Sequence, residues 1–442
     1  MQLPCILRRA LCTPRPRYTP FPLPASSKSR PFSSASPADS RQAAPAPMMP
    51  TRAWGEALGA AQRGFCLPLA GRVLAASGTG NAAVSPTAVH AALALAAAGA
   101  RGATRRQILQ ALCGGGGGGR GAAADAANLA SRVVKRVLRD RSTSSGPRLA
   151  FAGGVWADAS AKLSPEFVEA AGNVYGSAAK AADFKNKPED AAEQINWWVK
   201  ESTKGTVTSL LSEGSIDQNT GLVLGSALYF RGRWLDKVDI RTAVQKFCSL
   251  DGTCVEVPFV VYDRTRLFAV HDGFKVIKLP YQQGKNERKF SMYIFLPDAH
   301  DGLFELTKKI YAEPAFLEQH LPTEKRHVDI RVPKFRISFQ IDVNDFLKEM
   351  GLELPFLRDA DFSNMVKEDN SSGPLFLSDV VHKAILEVND KGFEETSVTT
   401  GIGKPSPVEH FVANHPFFFF IREEVSGTVI FMGHVLDPSS QS

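Results

Sequence analysis

Apolar residues recur at helical spacing near the start of the ordered part of the chain. Over residues 54–76 they return every three or four positions, which predicts an amphipathic helix. Residues 88–100 are almost wholly apolar. Ser85 as N-cap and Pro86 at the first helical position predict a second helix, which is apolar on all sides and therefore buried.

Near-continuous apolar runs predict the strands. The clearest runs occupy residues 151–158, 222–230, 255–261, 274–281, 289–297, 380–388 and 417–421. Ile195, Trp198 and Val199 share one face of a further predicted helix. Residues 342–350 predict another helix, which ends at Gly351.

A long polar segment separates the last two apolar runs. Residues 392–410 contain glycines and prolines that interrupt regular structure. Loops of this length inside a compact domain are usually functional or disordered. This loop is therefore the first candidate for activity, and a mobile surface connection is the alternative.

Composition narrows the functional classes. Of the 442 residues, 22% are charged and 44% hydrophobic, which is typical of a globular protein, and no apolar run approaches the ~18 residues of a membrane span. The formal charge of +7 comes mostly from residues 1–50, which hold seven basic residues and one acidic residue. The remaining chain is close to neutral, so nucleic-acid binding is not expected.

Residues 1–50 have the composition of a disordered tail. They contain eleven prolines and seven serines and stay free of acidic residues until Asp39. Two interpretations remain open, a plastid or mitochondrial transit peptide and an over-extended start upstream of Met48 or Met49.

The six cysteines show no Cys-x-x-Cys metal pair. Free thiols are expected for all of them, although Cys248 and Cys254 flank a predicted turn and a cross-strand disulfide is the alternative.

The glycine run 114–119 lacks the Lys-Ser/Thr of a phosphate loop and predicts a flexible insertion. A basic helical face follows it, formed by Arg132, Lys135, Arg136 and Arg139. We expect a solvated face there, with a polyanion site as the alternative.

Motifs for catalysis are lacking in the sequence. It contains neither a Gly-x-Ser-x-Gly elbow nor a His-Glu-x-x-His helix. His382 lies within an apolar run, where a hydrogen-bonded core histidine is the ordinary interpretation. Neither an enzyme nor a cofactor is expected. Asn370-Ser-Ser is a glycosylation sequon that matters only in a secreted protein.

Several segments resemble serpins, and plant serpins in particular. They are Val-His-Lys-Ala at 381–384, Glu-Val-Asn-Asp-Lys-Gly at 387–392, Phe-Val-Ala-Asn-His-Pro-Phe at 411–417 and Asn-Ala-Ala-Val-Ser-Pro at 81–86. The resemblance extends over residues 54–437. It implies an α+β fold of three β-sheets with about eight or nine helices, and a serpin domain over residues 51–437. Residues 392–410 would be the reactive-centre loop, the bait that a protease cleaves and that then inserts into the central sheet.

The resemblance also implies roles for residues under and above that sheet. A hydrogen-bonded cluster that lets the sheet open corresponds to Ser85, Ala88, Ser226 and His382, and Trp234 corresponds to the aromatic residue at the top of the sheet. Two positions depart from the family. Ser226 stands where Asn is usual, and Ala88 stands where Ser is usual.

The hinge of the loop departs further. Its residues are Gly392, Phe393, Glu394, Glu395, Thr396 and Ser397, whereas inhibitory serpins have a small Thr or Ser after the glycine and then mainly Ala. On insertion Phe393 and Glu395 would face the interior while Glu394 would face away. The family's spacing puts the scissile bond at Ser406-Pro407, where proline hinders most serine proteases.

These departures predict a non-inhibitory or strongly impaired serpin. A functional suicide inhibitor of an endopeptidase is the first alternative, and a storage, scaffold or ligand-binding protein is the second. An endopeptidase would be the partner only of an inhibitory form. We expect a monomer without nucleic-acid or membrane partners. Its compartment would be the cytosol or nucleus, or an organelle if residues 1–50 are a transit peptide, rather than the extracellular space.

Overall fold

The structure is a computed structural model that describes residues 51–114, 122–140, 146–235, 241–284, 288–313, 315–367, 373–388 and 408–440. Four of the predicted features lie wholly or mostly outside these ranges: the tail 1–50, most of the glycine run, the sequon at Asn370, and residues 392–407 of the predicted loop 392–410. The predicted end of the loop was wrong, because a strand begins at Glu409.

The described residues contain ten α-helical segments. They are α1 Thr51–Ala61, α2 Leu67–Ala76, α3 Pro86–Gly99, α4 Gly102–Leu112, α5 Ala122–Arg132, α6 Pro165–Asn173, α7 Pro188–Ser202, α8 Leu303–Ala312, α9 Phe316–Gln319 and α10 Asn344–Glu349. A π-helical turn, Gln62–Cys66, joins α1 to α2 without a break, so the ten segments form nine helices within the described ranges. The predicted number is therefore confirmed.

Fourteen strands complete the described fold. They are β1 Ala82–Val84, β2 Arg148–Asp158, β3 Ala178–Ala182, β4 Leu222–Gly232, β5 Arg241–Cys248, β6 Cys254–His271, β7 Phe274–Pro280, β8 Phe290–Pro297, β9 Lys325–Pro333, β10 Phe335–Asp342, β11 Leu377–Val388, β12 Glu409–Val412, β13 Phe417–Glu423 and β14 Thr428–Val435. Each of the seven apolar runs predicted to be a strand forms one. One helix boundary was wrong, because Asp342 ends β10 and α10 begins at Asn344.

The strands form three sheets, as the serpin resemblance implied. The central sheet has the order β10-β11-β4-β2-β3. A second sheet runs β1-β14-β13-β8-β7-β6, and the long strand β6 continues from it into a third, formed by β5, β6, β9 and β12. The predicted strand at 255–261 is longer than expected because β6 pairs with β9 in its first part and with β7 in its last.

The buried helix α3 lies beneath the central sheet. It contacts β2 and β4 of that sheet and β14 of the second sheet, which explains why its sequence is apolar on all sides. Ser85 caps it as predicted, since the Ser85 Oγ accepts a hydrogen bond from the Ala88 N–H. The helix thus joins two layers of the core.

Helix α7 covers the opposite face of the central sheet. Ile195 and Val199 are buried in an apolar cluster with Val223 of β4 and Ile385 of β11. Trp198 packs edge-on against Trp156 of β2, with ring centroids 5.3 Å apart. The helical face predicted from sequence therefore packs on the sheet.

Cysteine pairing corrects the sequence-based expectation of free thiols. Cys248 and Cys254 form a disulfide, because the β5–β6 hairpin places them directly opposite each other with Cα atoms 4.0 Å apart. Within the described residues, Cys66 and Cys113 remain free thiols.

Candidate functional site

The predicted loop follows β11 directly, so insertion into the central sheet, as the serpin resemblance implies, would place it between β11 and its neighbour β4. The two strands pair directly and in parallel, from Leu222 and Leu377 at the lower end to Gly232 and Val388 at the upper end. Only one irregularity interrupts this register, between Leu377 and Asp379. The described part of the sheet is thus closed along the full β4–β11 boundary.

His382 lies at the middle of this boundary. The ring is fully buried, and register pairs it with Ser226 of β4. The Ser226 Oγ is 2.9 Å from Nδ1, while the backbone N–H of Ser85 donates to Nε2 over 2.9 Å. Three of the four residues predicted for the sheet-opening cluster therefore meet through hydrogen bonds.

These contacts fix the protonation state of His382. Because Nε2 accepts a hydrogen bond, the neutral ring carries its proton on Nδ1 and donates it to the Ser226 oxygen. Burial of the ring lowers the pKa of His382 to about 4. The ring is thus neutral at physiological pH.

Ala88 is the fourth predicted member, and its role differs. Its backbone N–H donates to Ser85, but its methyl group lies in an apolar cluster that includes Leu228. A methyl group offers no hydrogen bond, so the polar contacts of His382 depend on Ser85 and Ser226.

An ionic contact closes the upper end of the boundary, and sequence analysis missed it. Glu387 of β11 lies 3.7 Å from the Nε of Arg231 on β4 and 3.7 Å from the Nε of Arg336 on β10. Register places the three residues side by side across neighbouring strands. Only the strand pairing could have revealed this contact, because the residues are distant in sequence.

Trp234 lies just beyond the upper end of β4. It is buried and stacks on Tyr281, with ring centroids 4.6 Å apart and planes 10° apart. The two residues also form an isolated β-bridge. The structure therefore places Trp234 at the top of the sheet, although its functional role remains a prediction.

The lower end of the boundary carries acidic groups. Burial, followed by the negative charges of Asp342 and Asp217, raises the pKa of Asp379 to about 6. Ser378 beside it accepts a hydrogen bond from the Gly221 N–H over 2.9 Å. Sequence analysis did not single out these residues.

The face of the boundary that points into the core is apolar along its upper half. Leu228 and Phe230 of β4 and Ala384, Leu386 and Val388 of β11 all belong to one buried cluster of apolar side chains. Arg231 directly follows Phe230, and Glu387 lies between Leu386 and Val388, so both charged side chains point to the other face. An added strand would thus meet an apolar layer on its inner side.

The predicted loop residues lie outside the described ranges. They are the hinge residues Gly392, Phe393, Glu394, Glu395, Thr396 and Ser397 and the scissile pair Ser406 and Pro407. The described chain ends at Val388 in β11 and resumes at Val408, next to β12. The arrangement around the loop is therefore described, while the loop itself stays a sequence-based prediction.

The predicted basic face spans the end of α5 and the π-helical turn after it, Val133–Leu138. Lys135, Arg136 and Arg139 are exposed, and Val137 is buried beneath them.

Across the described residues, no group of three or more His, Cys, Asp or Glu is placed to hold a metal ion, and no helix is long and apolar enough to cross a membrane.

Comparisons with known proteins agree with this architecture. The family described as "Serpin (serine protease inhibitor)" matches residues 60–438. The chain belongs to the serpin family. A rice protein named "Probable non-inhibitory serpin-Z9" is 81% identical over 396 residues, which cover 89% of this chain and 90% of the relative. Barley Serpin-Z7 is 46% identical over 368 residues, covering 82% and 91%.

Among solved structures, Arabidopsis AtSerpin1 in its "Native Stressed Conformation" is similar, with a TM-score of 0.78 and 34% identity. The match covers 88% of this serpin and 99% of that chain. The similarity thus extends over the whole serpin domain and includes plant members.

Proposed function

We propose that this protein is a non-inhibitory serpin whose reactive-centre loop inserts poorly into the central sheet. One observation supports the proposal above all. The inner face of the upper β4–β11 boundary consists of Leu228, Phe230, Ala384, Leu386 and Val388, which are all apolar and buried. A newly inserted strand must present compatible side chains to this layer.

Glu395 is incompatible with that layer. In the family's register its carboxylate would enter the apolar face, where none of the five described residues that line it is basic. Burying a carboxylate without a partner costs several kcal/mol or forces its protonation. Glu394, by contrast, would point to the face that carries Arg231 and Arg336, which already pair with Glu387.

Phe393 adds a second penalty. A phenylalanine in a position that takes a small residue in inhibitory serpins costs roughly 1 to 3 kcal/mol of overpacking. Further along, Gly401 and Gly403 weaken a strand, and Pro405 and Pro407 cannot donate hydrogen bonds to a neighbouring strand. The rice relative carries the words "Probable non-inhibitory" in its name, and its similarity supports the same function here.

The remaining functional statements follow from this proposal. We infer that the protein is not an enzyme, acts as a monomer and has no nucleic-acid or membrane partner. An endopeptidase would cleave the loop as a substrate without being trapped. The cytosol or nucleus is the proposed compartment, or an organelle if residues 1–50 act as a transit peptide.

The experiment that tests the proposal is incubation with a panel of serine and cysteine endopeptidases, followed by denaturing electrophoresis. We expect cleavage of the loop without a covalent complex at any ratio of serpin to protease, while an inhibitory serpin run in parallel gives one. A band at the summed mass that survives denaturation would overturn the proposal and leave a functional suicide inhibitor as the function.

A further inference from the structure

The disulfide between Cys248 and Cys254 lies at the surface, where it joins the two ends of the turn between β5 and β6. Cys254 is exposed and Cys248 is half-buried. A disulfide opens when an external thiolate attacks one of its sulfur atoms, so its reactivity depends on access to that sulfur. Cys254 is therefore the half of this disulfide that an external thiol reaches more readily.

Hydrogen bonds within the turn hold its shape without the sulfur atoms. The Ser249 N–H donates to the Thr253 carbonyl over 2.8 Å, and the Gly252 N–H donates to the Ser249 carbonyl over 3.0 Å. The Thr253 N–H also donates to the carboxylate of Asp251 over 2.9 Å. Because none of these bonds needs the disulfide, the turn should keep the two cysteines opposite each other after reduction. The disulfide can then form again without refolding of the chain.

The hairpin is attached to the segment that follows the predicted loop. The Cys248 N–H donates to the Asn414 carbonyl over 2.9 Å. The side-chain oxygen of Asn414 lies 2.9 Å from Nδ1 of His415, and Nε2 of His415 lies 2.7 Å from the Pro297 carbonyl at the end of β8. A continuous series of contacts thus runs from the disulfide to the second sheet.

Strand β12 holds the C-terminal end of the predicted loop, and it is short. Its four residues pair with β9, and β12 is the last strand in the order of its sheet. Phe411 of β12 is buried in the same apolar cluster as Phe247, the residue before Cys248. Asn414 lies two residues beyond the end of β12. A change at the disulfide would therefore reach the attachment of β12 through a hydrogen bond and through a shared apolar cluster.

We propose that Cys248 and Cys254 form a reversible redox site, which a dithiol reductant opens, and that its state sets how firmly the end of the predicted loop is held at β12. The proposal takes its compartment from the proposed function, since the cytosol and nucleus are reducing. In such a compartment, an accessible disulfide is expected to respond to the redox state and not to act as a permanent crosslink. A protein of the thioredoxin class has the required pair of thiols.

The reaction consists of two successive thiol–disulfide exchanges. One thiolate of the reductant attacks the Cys254 sulfur, which forms a mixed disulfide and releases Cys248 as a thiolate. The second thiolate of the reductant then attacks the reductant's own sulfur in the mixed disulfide and releases Cys254. Two electrons and two protons pass to the cysteines in total, so both end as thiols while the reductant becomes a disulfide.

The first test equilibrates the full-length protein in buffers with graded ratios of reduced to oxidised dithiothreitol. Alkylation of free thiols followed by peptide mass spectrometry reports the oxidised fraction of Cys248 and Cys254. We expect both cysteines to titrate together along one reversible two-electron curve, while circular dichroism stays that of the folded protein. Reduction only in urea, or failure of the disulfide to form again in oxidising buffer, would overturn the proposal.

Hydrogen exchange measures the effect on the attachment of the loop. Residues 246–250 and 409–415 should exchange several-fold faster in the reduced protein, because the contact between Cys248 and Asn414 opens more often. Strand β14 lies in the second sheet and should exchange at the same rate in both states. Equal exchange of residues 409–415 in the two states would overturn the proposed control of β12.

Variants then separate the two cysteines from the other thiols. Cys248→Ser with Cys254→Ser should show the faster exchange in oxidising and reducing buffer alike. Cys113→Ser removes a half-buried thiol at the end of α4 and should keep the response of the natural chain. A response that persists in the double variant, or that is lost in Cys113→Ser, would contradict the proposal. None of these outcomes depends on trapping of a protease, so they are distinct from a failure of the proposed non-inhibitory function.

Discussion

Ser226 of β4 and His382 of β11 meet across the boundary at which the central sheet would open, with Oγ and Nδ1 2.9 Å apart. The contact is buried and joins two strands that any inserted strand must separate. The Ser85 N–H donates a hydrogen bond to the other ring nitrogen, Nε2, so each ring nitrogen of His382 has one partner in the closed sheet. Opening of the sheet at this point would break the first of these contacts.

Replacing Ser226 by Ala should destabilise the closed sheet. The buried Nδ1–H of His382 would lose its acceptor, so the free energy of unfolding should fall by about 1 to 3 kcal/mol. Urea unfolding measures the change. Ser131→Ala on α5, a half-buried serine without a hydrogen bond among the described residues, should shift the free energy little. Equal shifts in the two variants would show that the Ser226 contact does not stabilise the sheet.

Stability should depend on pH through buried neutral histidines. Burial lowers the pKa of His90, His382 and His434 to about 4 each, below the ~6.5 of an unfolded chain. The unfolded state therefore takes up protons first as the pH falls. The stability from each histidine is fully present above about pH 6.5 and is lost towards pH 4, at about 1.4 kcal/mol per pH unit.

Unfolding free energies measured between pH 7 and 4.5 test this dependence. His382→Gln should reduce the slope by about one proton relative to the natural chain. The raised pKa of Asp379 acts in the opposite direction in this window, so the comparison between variants is the informative quantity. A slope unaffected by His382→Gln would contradict the neutral buried ring.

Apolar periodicity is a property of residues that are close together in the chain, so the sequence alone predicted most of the helices and strands. The cap at Ser85, the buried α3 and the strand runs follow from it. The contact between Glu387 and Arg231 could not be predicted from the sequence, because it depends on the register between β4 and β11. These two strands are distant in the chain, since their paired residues Ser226 and His382 are 156 positions apart. The disulfide likewise required knowledge that the β5–β6 turn aligns Cys248 with Cys254.

The disulfide gives a prediction about the third sheet. Cys248 also donates its backbone N–H to the Asn414 carbonyl over 2.9 Å, so the hairpin contacts the segment that follows β12. Reduction should lower the free energy of unfolding by about 2 kcal/mol, because the unfolded chain gains entropy when a short loop opens. Urea unfolding with and without dithiothreitol measures this.

A Cys248→Ser and Cys254→Ser double variant is the control, and its unfolding should be insensitive to dithiothreitol. Thiol titration of the native protein provides a second readout. Recovery of both cysteines as free thiols in the unreduced protein would contradict the disulfide.

Deletion of residues 1–48 should leave the folded domain unchanged. Their composition excludes them from a packed core, so the melting temperature should shift by no more than the error of the measurement. Differential scanning calorimetry of the truncated and full-length chains measures this shift in melting temperature. A large loss of stability would refute the prediction, and import of a fusion of this tail into an organelle would support the transit-peptide interpretation.

Two substitutions in the loop should change its ability to insert. Phe393→Thr together with Glu395→Ala removes the overpacking and the buried carboxylate, so the cleaved variant should become more stable than the cleaved natural chain. Glu394→Ala is the matched control, because that side chain would point away from the apolar layer. The double variant should still be a weak inhibitor, since the proline after Ser406 remains.

The most direct test is the melting temperature of the natural chain before and after a non-target protease cuts the loop. Cleavage adds a buried strand to the sheet only if insertion is favourable. We expect the melting temperature to rise little or not at all, because Phe393 and Glu395 oppose entry into the apolar layer formed by Leu228, Leu386 and their neighbours. A large rise after cleavage would show that the loop inserts and would contradict the account.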